Sequence, residues 1–256
     1  MDYRLFPSLV FLVVSAVALQ PSVIAASAAS CSFPPELWCT SPEISRVCEV
    51  EAQCAQFQRP TNDAPLVNFT LYYESYCPGC QMFINGQLHD TYMAVSEIMN
   101  LTLVPYGNAK EMKKGSKYEF TCQHGERECR GNLLESCVLH FAPFPTAFKT
   151  IYCMEVTHNP VPNAQECITK FGLNYEQIVD CANGSLGNFL EHEMALKTNA
   201  LKPPHNYVPW VTLNGVHTDA IQQKAESDLK KLICDTYRGN KPPACSQENT
   251  QPRSYI

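Results

Sequence analysis

The chain has 256 residues, 45% of them hydrophobic and 17% charged, with a formal net charge of −6. That is enough apolar material for the core of one or two domains and excludes wholesale disorder. The acidic balance and the lack of a Lys/Arg run exclude a nucleic-acid-binding class, and 14 cysteines imply an oxidising compartment in which most of them are paired.

In chain order, Phe6 to Leu19 is almost wholly apolar, and Ala26, Ser27 and Ala28 offer small residues for cleavage. The run is shorter than the roughly 20 residues of a spanning helix. Residues 1–28 therefore read as a signal peptide, on a chain with no transmembrane segment. Residues 31–59 hold Cys31, Cys39, Cys48 and Cys54 and little else that could form a core, so disulfides must give this segment its shape. Arg59 to Pro65 reads as a linker.

Leu66 to Tyr73 alternates apolar Val67, Phe69, Leu71 and Tyr73 with Asn68 and Thr70, which predicts a strand. Asn68 is a glycosylation sequon, as are Asn100 and Asn183. A glycan on Asn68 requires the strand's open end. After Cys77-Pro78-Gly79-Cys80, apolar Ile84, Leu88, Tyr92, Val95 and Met99 predict an amphipathic helix of about five turns, ended by Asn100. Leu101 to Val104 predicts a short buried strand, completing a βαβ unit.

From about 120 to 205 the sequence is helix-rich with scattered cysteines. Tyr207 to Leu213 is a predicted strand, and Asn214-Gly215 a hairpin turn into a further strand at Val216. A last amphipathic helix buries Ile221, Ala225, Leu229, Leu232 and Ile233, and the residues after Tyr237 read as a tail.

Two cysteines three apart, at the start of a helix that follows a strand, suit dithiol–disulfide exchange. The first thiol meets the helix N-terminus, where N–H groups and the dipole favour a thiolate. The second lies one turn inward and can attack a mixed disulfide. Competing readings are a structural disulfide and half a zinc site. Zinc lacks a second Cys-x-x-Cys or a spaced His pair, although Cys122, His124 and Cys129 could contribute, and no metal is expected. Val208-Pro209 lies in a predicted strand, where proline cannot donate to the ladder. A cis bond facing the thiols would present the Val208 backbone to a substrate strand. Together these parts predict an α/β, thioredoxin-like fold. The 132 positions from Cys77 to Pro209 require a disulfide-rich helical insertion between its βαβ and ββα halves.

The run Cys122-Gln123-His124-Gly125-Glu126-Arg127-Glu128-Cys129, continued by Asn132 and Cys137, fits the pattern C-Q-H-G-x₂-E-C-x₂-N-x₄-C. That pattern resembles the signature of the gamma-interferon-inducible lysosomal thiol reductase family. Cys77-Pro78-Gly79-Cys80 resembles the family's Cys-x-x-Cys site, and the likeness also covers Leu103 to Ala109 and Pro203 to Val211. It runs from about Pro65 to Cys245, about seven-tenths of the chain. Pro34 to Cys39, with Cys48 and Cys54, resembles a saposin A-type motif.

The resemblance implies a glycoprotein that travels the secretory pathway to lysosomes, its precursor in part secreted. There it would reduce protein disulfides in acid, aiding unfolding, proteolysis and antigen processing. It further implies a thiol reductase domain at 65–237, flanked by propeptides at 31–59 and 238–256. Gln123, His124 and Glu128 are expected to be surface polar residues framing a disulfide-pinned loop.

In the expected cycle Cys77 attacks, Cys80 resolves, and an external thiol reductant resets the pair without a bound cofactor. Acid is the obstacle. A thiol of pKa ~8.5 is ionised about three parts in ten thousand at pH ~5, a penalty of about 4.8 kcal/mol. A Cys77 pKa below about 6 is therefore expected, with no tuning partner visible in the sequence. The other twelve cysteines allow roughly ten thousand pairings, including a bridge that links two precursor chains as a homodimer. Two further functions stay open at this point: a non-enzymatic secreted Cys-rich glycoprotein, and a disulfide oxidase or isomerase of the secretory pathway.

Overall fold

A computed structural model describes residues 31, 33–40, 42–57 and 64–247. The signal peptide, residues 59–63 of the linker and residues 248–256 of the tail lie outside them.

The N-terminal segment folds as a 3₁₀ turn (Pro35–Leu37), α1 (Pro42–Val47) and α2 (Glu51–Phe57). Its four cysteines pair among themselves, Cys31 with Cys48 and Cys39 with Cys54. Leu37 is fully buried in the main core and Glu43 reaches Lys224 at 3.0 Å, so the segment packs against the rest of the chain.

Strand β1 (Val67–Tyr73) buries Val67, Phe69, Leu71 and Tyr73 and leaves Asn68 exposed near its start, as the alternation requires. Then come α3 (Pro78–Phe83), a π turn (Ile84–Leu88) and α4 (His89–Val95). The helical run ends at Ile98, so Met99 and Asn100 belong to β2 (Met99–Pro105) and not to the helix. Met99 is buried in either setting, so helical spacing alone did not separate the two. The period-2 burial of Met99, Leu101 and Leu103 does. β2 runs parallel to β1, pairing from Val67↔Met99 to Tyr73↔Pro105.

A hairpin absent from the sequence expectations follows, β3 (Lys110–Lys114) and β4 (Lys117–Thr121). Its strands are mostly charged and exposed, so no apolar alternation marks them. The readable signal was Gly115-Ser116, with Gly115 at φ +61 in the turn.

The insertion comprises α5 (Glu126–Phe141), α6 (Phe144–Glu155), α7 (Pro160–Lys170), α8 (Tyr175–Asn183) and α9 (Ser185–Asn199). α5 is its hub and touches the other four. Cys137–Cys181 ties α5 to α8, and Cys153–Cys167 ties α6 to α7.

The chain returns through β5 (Trp210–Leu213), antiparallel to β1, giving the sheet order β2-β1-β5. The strand is shorter than expected. Tyr207, Val208 and Pro209 lie outside it, because Pro209 has no N–H for the ladder. Asn214 and Gly215 take the left-handed turn conformation, but Val216 forms a single bridge to Leu213 rather than a strand. Helix α10 (Asp219–Thr236) is capped by Thr218, interrupted at Asp228, and buries all five predicted apolar residues. α10 and α4 pack together on one side, while α5 and α9 meet β2. Parallel β1–β2, antiparallel β5 and these helices make a thioredoxin-like fold, with the insertion where the chain length demanded it.

Two cysteine findings complete the picture. Cys245 is bonded to Cys234 of α10, so the tail is fastened to the domain at least that far. The twelve structural cysteines form six intrachain pairs, and Cys77 and Cys80 are free.

Candidate active site

Cys77 is the N-cap of α3, with Pro78 at the first helical position, where its missing N–H leaves no bond unmade. The Cys80 N–H donates to Cys77 Sγ at 3.4 Å. Cys77 keeps 8% of its surface and Cys80 none, so only the first thiol is open to attack or be attacked.

The peptide bond between Val208 and Pro209 is cis, as the sequence suggested. The Cys77 thiol donates to the Val208 carbonyl at 3.8 Å, and a Cβ on Gly79 would stand 3.4 Å from the Pro209 ring. Val208 and Pro209 thus sit against the thiol pair. Gln222 of α10 holds this loop from behind. Its Nε2 donates to the Pro209 carbonyl at 3.0 Å and its Oε1 accepts from Val211 N–H at 3.1 Å. Nothing in the sequence marks Gln222, because one polar residue beside Ile221 looks like the rim of an amphipathic helix.

A cleft of about 500 Å³ opens over Cys77, lined by His124, Gln123, Asn108, Tyr207 and Val208. Gln123 and His124 are exposed on a disulfide-pinned loop, as expected, and the surface expectation is corrected for Glu128 alone. Glu128 is fully buried, and His124 lines the cleft. Glu128 accepts from the His124 backbone N–H at 2.9 Å and pairs with His124 Nδ1 at 2.5 Å. Gln123 Oε1 accepts from Asn108 Nδ2 at 2.6 Å. The Cys122–Cys129 disulfide closes the loop around Gly125, whose φ of +86 favours glycine. Asn132 accepts from Ser75 N–H at 3.0 Å, and Gly131 lets α5 approach so closely that a Cβ would fall on Ser75 Oγ. The signature therefore builds the wall of the cleft and its contact with the end of β1.

Buried carboxyl groups lie beneath. Glu74, which the sequence did not single out, accepts from Asn108 N–H at 2.6 Å, and its other oxygen stands 3.5 Å from His124 Nδ1. Glu135 accepts from Tyr73 OH at 2.5 Å, and His158 Nδ1 meets Gln81 Oε1 at 3.0 Å. Burial, then the neighbouring Glu128, pushes Glu74 up to about 7. Burial also pushes Glu135 up to about 7 and Glu155 well above the usual carboxylate range.

The two thiols are driven apart. The hydrogen bond from the Cys80 side chain does most to bring Cys77 down to about 6, against its partial burial, aided by the N–H groups of Cys80 and Gly79 and the charge of His124. Burial, then the bond to Cys77, holds Cys80 well above an ordinary thiol. Cys77 therefore arrives at the edge of the value expected from the acid argument, chiefly through Cys80, with His124 a smaller contribution that the sequence did not name. Asn68, Asn100 and Asn183 are all exposed, and Asn100 Nδ2 donates to Asn68 Oδ1 at 2.7 Å.

Comparison with known proteins agrees with this geometry. A family model described as gamma interferon inducible lysosomal thiol reductase matches residues 68–171. A Carassius auratus gamma-interferon-inducible lysosomal thiol reductase is 48% identical over 220 residues, 85% of each chain. The Mus musculus protein of the same name is 41% identical, over 83% of this chain and 85% of its own. A gamma-interferon-responsive lysosomal thiol protein of Arabidopsis thaliana is 39% identical, over 73% and 79%. With its thiol pair, cis-proline loop and signature wall in one cleft, this chain belongs to the gamma-interferon-inducible lysosomal thiol reductase family.

Proposed function

We propose that this protein reduces disulfides of protein substrates in the lysosome, at acidic pH, with Cys77 as nucleophile and Cys80 as resolving thiol. The carrying observation is the contrast among its cysteines: twelve are paired, while Cys77 and Cys80 are unpaired at a helix start facing a cis-proline. The Cys77 thiolate attacks one substrate sulfur and the first substrate thiolate leaves. Cys80 then gives up its proton and attacks Cys77 Sγ, releasing the second substrate thiol. The chain is left as the Cys77–Cys80 disulfide, and an external thiol reductant returns two electrons to it, with no bound cofactor.

Acid suits this site. A thiol of pKa about 6 is roughly one-tenth ionised at pH ~5, and its penalty falls from about 4.8 to about 1.4 kcal/mol. The buried carboxyl groups, raised to about 7, are neutral there, which avoids the larger cost of burying their charge.

The chain would travel the secretory pathway, carry glycans on Asn68, Asn100 and Asn183, and reach the lysosome with some precursor secreted. Residues 31–59 and the tail after Tyr237 would be removed as propeptides, with the fragment that contains Cys245 retained through its disulfide. Phe33 lines a second cavity of about 620 Å³ that shares Asn206 and Tyr207 with the thiol cleft, so loss of the N-terminal segment would widen the approach to the cis-proline loop. In the lysosome, reduction would open folded proteins for proteolysis and antigen processing.

The test is reduction of a denatured disulfide protein across pH 4–7.5 by the natural chain, Cys77→Ser and Cys80→Ser. Activity that peaks in acid, disappears in both variants and leaves a trapped mixed disulfide in Cys80→Ser is expected. Activity confined to neutral pH would remove the lysosomal reading, and no difference among the three proteins would remove the enzyme.

A further inference from the structure

Beside Cys77, Glu74, His124 and Glu128 each turn one donor atom toward a common space, and these atoms lie within 4.8 Å of one another. Glu74 comes from the end of β1, the other two from the start of the insertion. Each carboxylate has one oxygen tied by a backbone N–H, Glu74 Oε1 by Asn108 at 2.6 Å and Glu128 Oε1 by His124 at 2.9 Å. Such anchoring fixes the direction of the remaining oxygen, as the outer partners of metal ligands do. Glu74 is fully buried, yet its Oε2 has no hydrogen-bond partner and points toward His124 Nδ1 at 3.5 Å. A buried oxygen without a donor is unfavourable unless something electropositive meets it.

We propose that Glu74, His124 and Glu128 form a binding site for a divalent cation of the zinc class, opening on the thiol cleft. One imidazole and two carboxylates with a free position suit zinc. Magnesium and calcium would demand more oxygen ligands than are present. Donor atoms around a tetrahedral zinc stand roughly 3.3 Å apart, so the Glu74–His124 spacing already fits. Glu128 Oε2, 2.5 Å from His124 Nδ1, must swing back by less than about 1 Å as the ion replaces the shared proton. The Cys122–Cys129 disulfide brackets both His124 and Glu128 and limits how far their loop can drift. Cys77 and His124 line the same cleft, and a thiolate is itself a zinc ligand, so an ion held here would take Cys77 out of exchange. That consequence rests on the reductase reading, whereas the binding does not.

The full chain carrying both Cys77→Ser and Cys80→Ser, which removes the dithiol that would chelate zinc unaided, is titrated with zinc chloride by calorimetry at pH 7.5. One zinc per chain is expected, with a rise in the unfolding temperature. Glu74→Gln, His124→Gln and Glu128→Gln in that background should each weaken binding at least ~10-fold, since loss of an outer partner alone weakens metal sites ~10–100-fold. Neither heat nor a thermal shift up to ~1 mM zinc overturns the site, and so does binding that none of the three changes. Should a buried glutamate variant not fold, His124→Gln, whose ring is 34% exposed, decides alone. Zinc inhibition of disulfide reduction by the natural chain is measured separately. Its absence with binding intact overturns only the link to Cys77.

Discussion

In the sheet scaffold, the residues that meet inside are apolar: Phe69 and Leu71 of β1, Phe83 of α3 and Ile84 of the π turn after it, Leu229 and Ile233 of α10. In the insertion, α5 turns Glu128, Asn132, Glu135 and Ser136 inward instead, each with a partner outside its own helix or in the loop before it. The scaffold holds Cys77 and Cys80 at a helix start. The insertion adds a smaller influence on Cys77 through the charge of His124. A non-directional apolar core is well suited to holding geometry, while polar groups buried near a thiol change its chemistry and must be paired one by one.

If the insertion depends on its staples, replacing Cys137 and Cys181 with alanine should have the largest effect on stability. A closed loop of 44 residues is worth about 4 kcal/mol. Urea unfolding should show that loss, and an unchanged midpoint would mean that the helices hold together without the bridge.

The buried carboxyl groups give the next effect. A carboxyl raised from 4.5 to about 7 on folding binds its proton more tightly in the folded state, so its contribution is fully present below pH 4.5 and is lost as pH rises to about 7. For Glu74 this is on the order of 3 kcal/mol. The oxidised protein, in which Cys77 does not titrate, should melt about 6–12 °C higher at pH 5 than at pH 7.5. Glu74→Gln should reduce that difference, leaving the part due to Glu135 and Glu155. A melting temperature that rises toward neutral pH would show that these carboxyl groups do not govern the balance.

Gly131→Ala tests the seam between the two regions. Its Cβ would land on Ser75 Oγ, so about 1–3 kcal/mol of stability should be lost and the wall of the cleft displaced. A neutral result in thermal melts would mean the seam is looser than its spacing suggests.

The smallest effect is electrostatic. His124→Gln removes one of several influences on Cys77, so thiolate absorbance should titrate up to about one pKa unit higher, with up to ~10-fold less activity at pH 5. An unmoved titration would assign the depressed pKa to Cys80 and the backbone alone.

By itself the sequence determined the βαβ start, the faces of α10, the thiol pair and the place of the insertion, because apolar periodicity and a Cys-x-x-Cys at a helix start are local patterns. It also carried the position of Pro209, since a proline inside a strand pattern has few places to go. Tertiary structure alone decided the disulfide pairing, the burial of Glu74 and Glu128, the hold of Gln222 on the proline loop and the approach of His124 to Cys77. Those facts join residues far apart in the chain. A glutamate that meets a thiol in a buried cleft has the same letter as one facing water.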